Sequence, residues 1–329
     1  MINQQTNSIT PCRTCSRSIS VVIPCYNAKR WIAGTLKSVL AQDWPDLEII
    51  VVDDGSSDGS PDLVRAQFPG VRLIVQANQG VAAARNTGIA SATCDWITFI
   101  DADDIWMPGK LDAQWRLLST QREAKMSYTA WRVWNSTDPE PSTSLIEELI
   151  KVNEGSSYYI GPSGWIYPEL LEDCCVWTST VFAHKSLFDA IGVFDQKLRI
   201  GEDYDLWLRA SRVTPILRVS RPLALYRIHP HSITKSPPAI NYQALALTRA
   251  IQQWGLESPD GRFADKRTVA RALSRTWRDY SGAHLAAGNY QQARHGGIMA
   301  LRSDWRQTRA WKVLLRSILA SLSPGRAHL

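Results

Sequence analysis

Three carboxylates follow a strand-like apolar run and are the residues of this chain best suited to chemistry. Asp101, Asp103 and Asp104 come directly after the apolar segment 96–100. Carboxylates at the end of a buried strand repel one another and resist loss of hydration, so core packing gives no reason for them. A hard divalent cation would neutralise them and complete its shell with phosphate oxygens and water. The cluster predicts a metal site for a nucleoside diphosphate; the alternative is an acidic turn or helix cap.

Alternating strands and helices would position these carboxylates. Apolar runs at 19–23, 47–52, 71–75 and 96–100 predict four strands, and helix-like stretches separate them. Unbroken Val- and Ile-rich strands between helices are typical of a parallel sheet covered on both faces, and ligands bind at the carboxyl ends of such strands. Polar residues follow the first three predicted strands: Tyr26 and Asn27, then Asp54, then Asn78.

The rest of the chain divides by pattern into three parts. We predict a disordered tail at 1–17, a catalytic domain at 18–235 and a basic α-helical region at 241–329. Helical spacing places the helices of the last region at 242–254, 265–287, 290–301 and 308–322.

The basic character of the chain belongs to its C-terminal part. From Gly261 onward there are 13 Lys and Arg against 3 Asp and Glu, whereas the preceding part has 24 against 28. Such a region suits anionic lipid, an acidic polymer or nucleic acid. Residues 311–319 resemble a basic amphipathic helix, and two interpretations stay open: peripheral contact with an anionic membrane, and packing on the catalytic domain with solvated arginines. No nucleic-acid-binding fold is recognisable, so we expect no nucleic acid partner.

Other features predict the compartment. No apolar run approaches 18 residues, and the first twenty residues lack the apolar core of a signal peptide, which predicts a cytoplasmic protein or one peripheral on the inner face of the membrane. Cys25 and Cys94 lie in strand-like runs and are predicted core residues. Cys12 and Cys15 have no second ligand pair at metal spacing, which favours a mobile tail over a zinc or redox site.

Five motifs, in order, resemble the pattern of glycosyltransferase family 2. They lie at residues 20–27, 52–58, 78–88, 101–104 and 201–209, within a match over 18–234. The resemblance implies an α/β GT-A fold, with a Rossmann-like, mostly parallel sheet flanked by helices and followed by the smaller helical region. It also implies an inverting transfer from a nucleotide-sugar donor.

The resemblance implies a set of residues that bind the nucleotide sugar. This set is Pro24, Tyr26, Asn27, Asp54, Asn78, Gly80, Arg85 and Asp101. Tyr26 would offer an aromatic face to the base, and Asp54 would accept a hydrogen bond from a uracil N–H, which points to a UDP-sugar. Arg85 would pair with an anion or fix a neighbouring carboxylate; the alternative is a solvated helix arginine.

The resemblance also implies the metal ligands and the catalytic base. Asp103 would ligate Mn²⁺ or Mg²⁺ between the two phosphates, with Asp101 contacting ribose and sometimes the metal. His229 would add a metal ligand or a phosphate contact, unless it is a surface-loop histidine. Asp203 would be the general base, positioned by Glu202, although both acidic residues also suit a helix N-terminus.

Trp177 belongs to a segment that lines the acceptor pocket in the family, although a tryptophan there also suits simple packing. Together these residues predict a metal-dependent inverting glycosyltransferase that acts on a hydroxyl of a glycan or lipid-linked saccharide. Two alternatives are a nucleotide-sugar-binding protein without turnover and a nucleic-acid-binding protein acting through the basic helices.

Overall fold

The computed structural model describes residues 17–151, 160–229 and 237–322. The predicted N-terminal tail, with Cys12 and Cys15, lies outside the described residues apart from Arg17. The predicted core cysteines Cys25 and Cys94 are both buried.

A sheet of eight strands and a set of flanking and C-terminal helices make up the described part of the chain. The strands are β1 (Ile19–Cys25), β2 (Leu47–Asp53), β3 (Arg72–Val75), β4 (Trp96–Phe99), β5 (Ile105–Trp106), β6 (Met126–Asn135), β7 (Phe182–His184) and β8 (Ile216–Ile228). The first helices are α1 (Ile32–Leu40), α2 (Ser60–Gln67), α3 (Val81–Ser91), α4 (Lys110–Thr120), α5 (Thr143–Lys151) and α6 (Tyr167–Leu170). The later helices are α7 (Lys185–Ile191), α8 (Glu202–Ala210), α9 (Tyr242–Trp254), α10 (Lys266–Ala286), α11 (Tyr290–Ser303) and α12 (Thr308–Leu322).

The sheet has a parallel half and a mixed half. Its order is β3-β2-β1-β4-β7-β6-β8-β5, and the first four strands are mutually parallel, as the sequence predicts. In the mixed half β7 is antiparallel to β4 and β6, β8 is parallel to β6, and β5 is antiparallel to β8. The acidic tetrad therefore lies between β4 of the parallel half and β5 of the mixed half.

Strand β1 lies at the centre of the parallel half, and all seven of its side chains are buried. Alternate residues face opposite layers, with Val21 and Ile23 in one hydrophobic cluster and Val22 in the other. Helix α3 packs closely on this strand at Gly88, where an added Cβ would lie 2.2 Å from a methyl group of Val22. This approach brings α3, which carries Arg85, beneath the carboxyl ends of the strands.

The C-terminal helices begin against the same core as the sheet. Leu247, Ala250 and Val269 of α9 and α10 belong to the larger hydrophobic cluster, and α11 and α12 pack in turn on α10. The structure places α9 and α12 at their predicted bounds, whereas α10 spans Lys266–Ala286 rather than 265–287 and α11 ends at Ser303 rather than at residue 301. Within the described ranges no helix is both long and apolar enough to cross a bilayer.

Candidate active site

The loops after β1 and β2 are joined to each other and leave an aromatic ring exposed. The backbone N–H of Asn27 donates to Ser56 Oγ at 2.8 Å, and the Ser57 N–H donates to Asn27 Oδ1 at 2.9 Å. Asn27 has a φ of 50°, a left-handed conformation that Asn tolerates better than most residues. Tyr26 is 53% exposed beside this fixed loop, so its ring is available for stacking on a planar ligand.

Asp54 shapes the loop after β3. Its carboxylate is 3% exposed and accepts hydrogen bonds from Gln76 Nε2 at 2.8 Å, the Gln79 N–H at 3.0 Å and the Gly80 N–H at 2.7 Å. An ionised carboxylate has about four acceptor positions, so three of them are used within the protein. In the structure Asp54 therefore holds the 78–80 loop. Its contact with a base stays a prediction.

The other predicted nucleotide-binding residues of this region differ in exposure. Pro24 lies inside β1, paired with Val52 and buried, because the strand continues to Cys25 instead of ending at the proline. Asn78 and Gly80 are exposed at the carboxyl end of β3, and Gly80 has a φ of 93° that a side chain would resist. Their direct contacts with a nucleotide stay predictions.

Arg85 joins Asp101, at the end of β4, to Glu202 in α8, the helix that carries the predicted catalytic base. Its Nη2 is 2.7 Å from Asp101 Oδ1 and its Nη1 is 2.6 Å from Glu202 Oε1, and its side chain is 4% exposed. A solvated helix arginine is thereby excluded. Burial and the nearby charge of Asp203 raise the pKa of Glu202 to about 7, and Arg85 opposes this rise.

Replacing Arg85 by Met is expected to lower the free energy of unfolding by about 3–5 kcal/mol at pH 8, because Glu202 and Asp101 would both lose their shared cation. In the folded protein Glu202 holds its proton up to about pH 7, against 4.5 in the unfolded chain. Without Arg85 that pKa rises further, so the folded variant loses stability relative to the parent as the pH increases beyond 7. Urea unfolding at pH 6 and pH 8 should show the larger loss at pH 8.

Arg116→Met is the matched control for this substitution. Arg116 is 77% exposed and pairs with Asp112 on the surface of α4, so its loss should cost less than about 0.5 kcal/mol. Adding Glu202→Gln to Arg85→Met should recover part of the stability lost at pH 8, because a neutral amide does not have to take up a proton to stay buried. Equal costs for Arg85→Met and Arg116→Met would contradict the role of the buried bridge.

Asp203 lies in the first turn of α8 and is held by a neighbouring hydroxyl group. Thr178 Oγ1 donates to Asp203 Oδ2 at 3.0 Å, and the Tyr204 N–H donates to Oδ1 at 2.7 Å. Gly201, with a φ of 79°, lets the chain turn into the helix just before it. The half-buried carboxylate is thus fixed in orientation at the N-terminus of α8.

Asp103 and His229 meet at the end of β8. Asp103 Oδ2 is 3.0 Å from His229 Nε2, and the histidine side chain is only 7% exposed, which excludes a surface-loop histidine. Burial and the charge of Asp101 raise the pKa of Asp103, and the hydrogen bond from His229 opposes the rise. Two carboxylates, those of Asp101 and Asp103, thus lie close enough to repel each other at this point.

The donor set fits an ion that is held partly by its substrate. Across the described ranges no three His, Cys, Asp or Glu side chains converge on one point, and Asp101 is held by Arg85. Mg²⁺ and related ions often take one or two protein carboxylates and complete their shell with phosphate oxygens and water. Asp103 and His229 meet that requirement, whereas a closed cage of Asp101, Asp103 and His229 is not formed.

Asp104 is a structural member of the acidic tetrad. It is 1% exposed, and its carboxyl group accepts hydrogen bonds from Ser179 Oγ at 2.6 Å and from the Arg227 N–H at 3.1 Å. Ser179 Oγ in turn accepts the Asp101 N–H at 3.0 Å. Burial and Asp103 raise the pKa of Asp104 well above its usual value. This network fixes the backbone that presents Asp101 and Asp103.

Arg227 also positions the acidic segment, and the sequence did not identify it. Its guanidinium lies 4.5 Å from the ring of Trp31 and 4.1 Å from that of Trp134, and its Nε donates to the Asp103 carbonyl at 2.6 Å. The available signal was its place two residues before His229, which puts both side chains on one face of a strand. Arg227 therefore fixes the backbone of the segment that carries Asp103.

Trp177 belongs to an aromatic cluster beside Asp203. Its ring centroid is 4.9 Å from that of Tyr226 and 6.1 Å from that of Trp131, and the side chain is half-buried. Packing within this cluster covers part of the Trp177 ring. Its other part is open to solvent, so acceptor binding by Trp177 stays a prediction.

Comparison with known sequences gives one family. Residues 20–157 match the model for Glycosyl transferase family 2. WfgD of Escherichia coli, a UDP-Glc:alpha-D-GlcNAc-diphosphoundecaprenol beta-1,3-glucosyltransferase, is 30% identical over 194 residues, which cover 58% of this chain and 68% of WfgD. An uncharacterized glycosyltransferase of Rickettsia felis is 29% identical over 217 residues, which cover 64% of this chain and 33% of that relative. The chain spans about a third of the length of the first such relatives it matches.

Two solved structures with a similar fold contain nucleotide ligands. TarS 1-349 of S. aureus, in complex with UDP, has a TM-score of 0.60 at 16% identity, with coverage of 95% of this chain and 93% of TarS 1-349. The mannosyltransferase PcManGT of Pyrobaculum calidifontis, in complex with GDP-Man and Mn²⁺, has a TM-score of 0.53 at 16% identity, with coverage of 98% and 92%. At these identities the likeness concerns the fold.

Proposed function

Because this chain belongs to glycosyltransferase family 2 and has the GT-A fold, we propose that it transfers a sugar from a nucleotide-sugar donor to an acceptor hydroxyl group. The observation that carries the proposal is the Arg85 bridge between Asp101 and Glu202. It brings the donor side, at the end of β4, next to the carboxylate of Asp203 in the first turn of α8. A transfer reaction needs those two sides at one place.

We propose a UDP-sugar as the donor. The exposed ring of Tyr26 provides a stacking face at the end of β1, beside the loop that Asp54 holds. WfgD uses UDP-Glc and TarS binds UDP, which supports uridine, whereas PcManGT binds GDP-Man. Because the exposed face of an aromatic ring accepts any base, uracil selection would come from the remaining acceptor position of Asp54 and the exposed Asn78.

A divalent ion, Mn²⁺ or Mg²⁺, would be held by Asp103 and His229 together with the two phosphates. When bound, such an ion neutralises charge on the departing diphosphate. The protein contributes the orientation: Arg227 holds the backbone of Asp103 and Ser179 holds that of Asp101. The Mn²⁺ complex of PcManGT, which has a similar fold, supports the proposal of metal dependence.

Asp203 would act as the general base. Thr178 fixes one carboxylate oxygen, and the acceptor hydroxyl would give its proton to this carboxylate as its oxygen attacks the anomeric carbon. The new carbon–oxygen bond forms as the bond from that carbon to the phosphate oxygen breaks, so the configuration inverts without a covalent enzyme intermediate. Glu202, tied to Arg85, holds the first turn of α8 in position.

The acceptor we propose is a glycan or a lipid-linked saccharide. Trp177 directly precedes the 3₁₀ turn that begins at Thr178 and presents part of its ring to solvent, where a sugar ring would stack. The name of WfgD specifies a diphosphoundecaprenol-linked acceptor for that relative, which supports this class.

Titration calorimetry with UDP, GDP and CDP, with and without Mn²⁺, followed by hydrolysis assays on the matching sugar nucleotides, tests this function. We expect UDP to bind most tightly, the ion to strengthen binding, and a UDP-sugar to be hydrolysed or transferred. Binding without turnover of any donor or acceptor would favour the inactive binding protein. Failure of every nucleoside diphosphate to bind would overturn the proposal.

A further inference from the structure

Helix α12 exposes a row of large apolar side chains. Trp311 is 47% exposed, Leu315 is 55% exposed and Leu319 is 65% exposed, and their spacing of four residues places them along one side of the helix. Trp305, 68% exposed, extends this row, because its carbonyl accepts a hydrogen bond from Trp311 Nε1 at 2.9 Å. Contiguous exposed apolar rows of this kind mark interaction sites.

A cationic row runs beside the apolar one. Arg309, Lys312 and Arg316 of α12 follow helical spacing, and together with Arg278 of α10 they line a groove of about 460 Å³. Asp279 also lines the groove, where its carboxylate pairs with Arg278 at 2.7 Å. After that residue the sequence contains one further Asp, no Glu, and seven Lys and Arg. The outward face of α12 thus combines apolar side chains with positive charge.

The opposite side of α12 is fixed on the protein. Ala310 and Ser317 are fully buried, and α12 packs on α11 where an added Cβ at Gly297 would lie 3.0 Å from the Cβ of Leu314. Packing against the protein therefore accounts for one side of the helix only. The exposed row is presented by a helix that the fold holds in place, and binding would not require it to rearrange.

We propose that the outward face of α12 binds the surface of an anionic phospholipid membrane. Trp311, Leu315 and Leu319 would enter the boundary between headgroups and acyl chains, where tryptophan is favoured, and the cations would contact lipid phosphates. A second copy of the chain fits less well, because two such faces would oppose their cations to each other. A nucleic acid would leave the leucines without an apolar environment. This surface goes beyond the transfer reaction and does not depend on it.

Vesicle flotation of the full chain tests this surface without any donor or acceptor. The protein should float with phosphatidylcholine vesicles that contain phosphatidylglycerol, and much less with phosphatidylcholine alone. Lys312→Glu/Arg316→Glu should lower the partition coefficient by at least about 30-fold, since each cation near an anionic surface contributes roughly fivefold. Leu315→Ser/Leu319→Ser should lower it by at least about tenfold, by removing buried apolar area.

Two matched variants separate this effect from general charge and apolar area. Arg267→Glu/Arg271→Glu makes the same charge change at exposed positions of α10, and Phe263→Ser removes a side chain that is 67% exposed elsewhere. Both should keep at least half of the parent's partition coefficient, and all variants should melt at the parent's temperature. Equal binding of parent and α12 variants to anionic vesicles would overturn the proposal, as would an α12-dependent dimer, seen by analytical ultracentrifugation, that does not bind vesicles.

Discussion

Asp203→Asn is expected to lower kcat by about 10²–10⁴-fold, the range usually lost with a general base. The amide keeps the size of the side chain; its oxygen can accept the Tyr204 N–H while its NH₂ group donates to the Thr178 hydroxyl oxygen, so the first turn of α8 should stay in place. Nucleotide affinity should change by less than about twofold, because the carboxylate serves the acceptor side of the reaction. Steady-state transfer kinetics with an identified donor and acceptor, together with UDP calorimetry, measure both quantities.

Asp205→Asn is the matched control for the base. Asp205 lies in the same turn of α8, but its carboxylate pairs with Arg209 at 2.8 Å, one turn along the helix. It should therefore keep kcat within a few-fold of the parent. If Asp203→Asn retained full transfer activity, the base would lie elsewhere. A similar fall of kcat in both variants would indicate that activity depends on negative charge at the N-terminus of α8 and not on a base at Asp203.

Asp103→Asn is expected to abolish most of the gain in UDP affinity that Mn²⁺ provides. We expect that gain to fall by at least about 100-fold, which exceeds the loss typical of residues that only support metal ligands. The amide can still hydrogen-bond to His229, so the segment between β4 and β5 should keep its conformation. Calorimetry of UDP with and without Mn²⁺ gives the gain directly, and UDP binding without the ion should change little.

Asp112→Asn makes the same charge change away from the site. Asp112 is 52% exposed on α4 and pairs with Arg116, so its loss should leave the gain from Mn²⁺ unchanged. If Mn²⁺ raised the affinity for UDP equally in Asp103→Asn and in the parent, Asp103 would not be a metal ligand. A loss of UDP affinity that is the same with and without Mn²⁺ would make Asp103 a nucleotide-positioning residue instead.

The parallel half of the sheet could be predicted because its strands carry their own signal. β1, β2 and β4 are apolar runs between helices, a pattern typical of strands that are buried on both faces of a sheet. The two shortest strands of the mixed half, β5 and β7, have no periodic pattern of their own. β5 has two residues and β7 has three, so neither is long enough for a periodic pattern, and both exist because β8 and β4 offer them partners.

The candidate site likewise contains residues that the sequence identifies and residues that only distant contacts bring into place. Asp101 and Asp103 could be picked out from residue type and position alone. Ser179 and Arg227 could not, since they reach Asp104 and Asp103 across 75 and 124 positions of the chain. The sequence also left two partners open for Arg85, an anion or a neighbouring carboxylate, whereas packing of α3 beneath the strand ends gives it two carboxylates.

Because Arg85 pairs with Asp101 and with Glu202, it limits how relatives can be recombined to engineer new sugar specificity. A chimera that takes the donor half from one relative and the acceptor half from another would cut between Asp101 and Glu202, and one arginine would then face a carboxylate selected in a different parent. Crossovers in this chain should therefore exchange Arg85, Asp101 and Glu202 as an inseparable unit, even though 117 positions separate the first from the last.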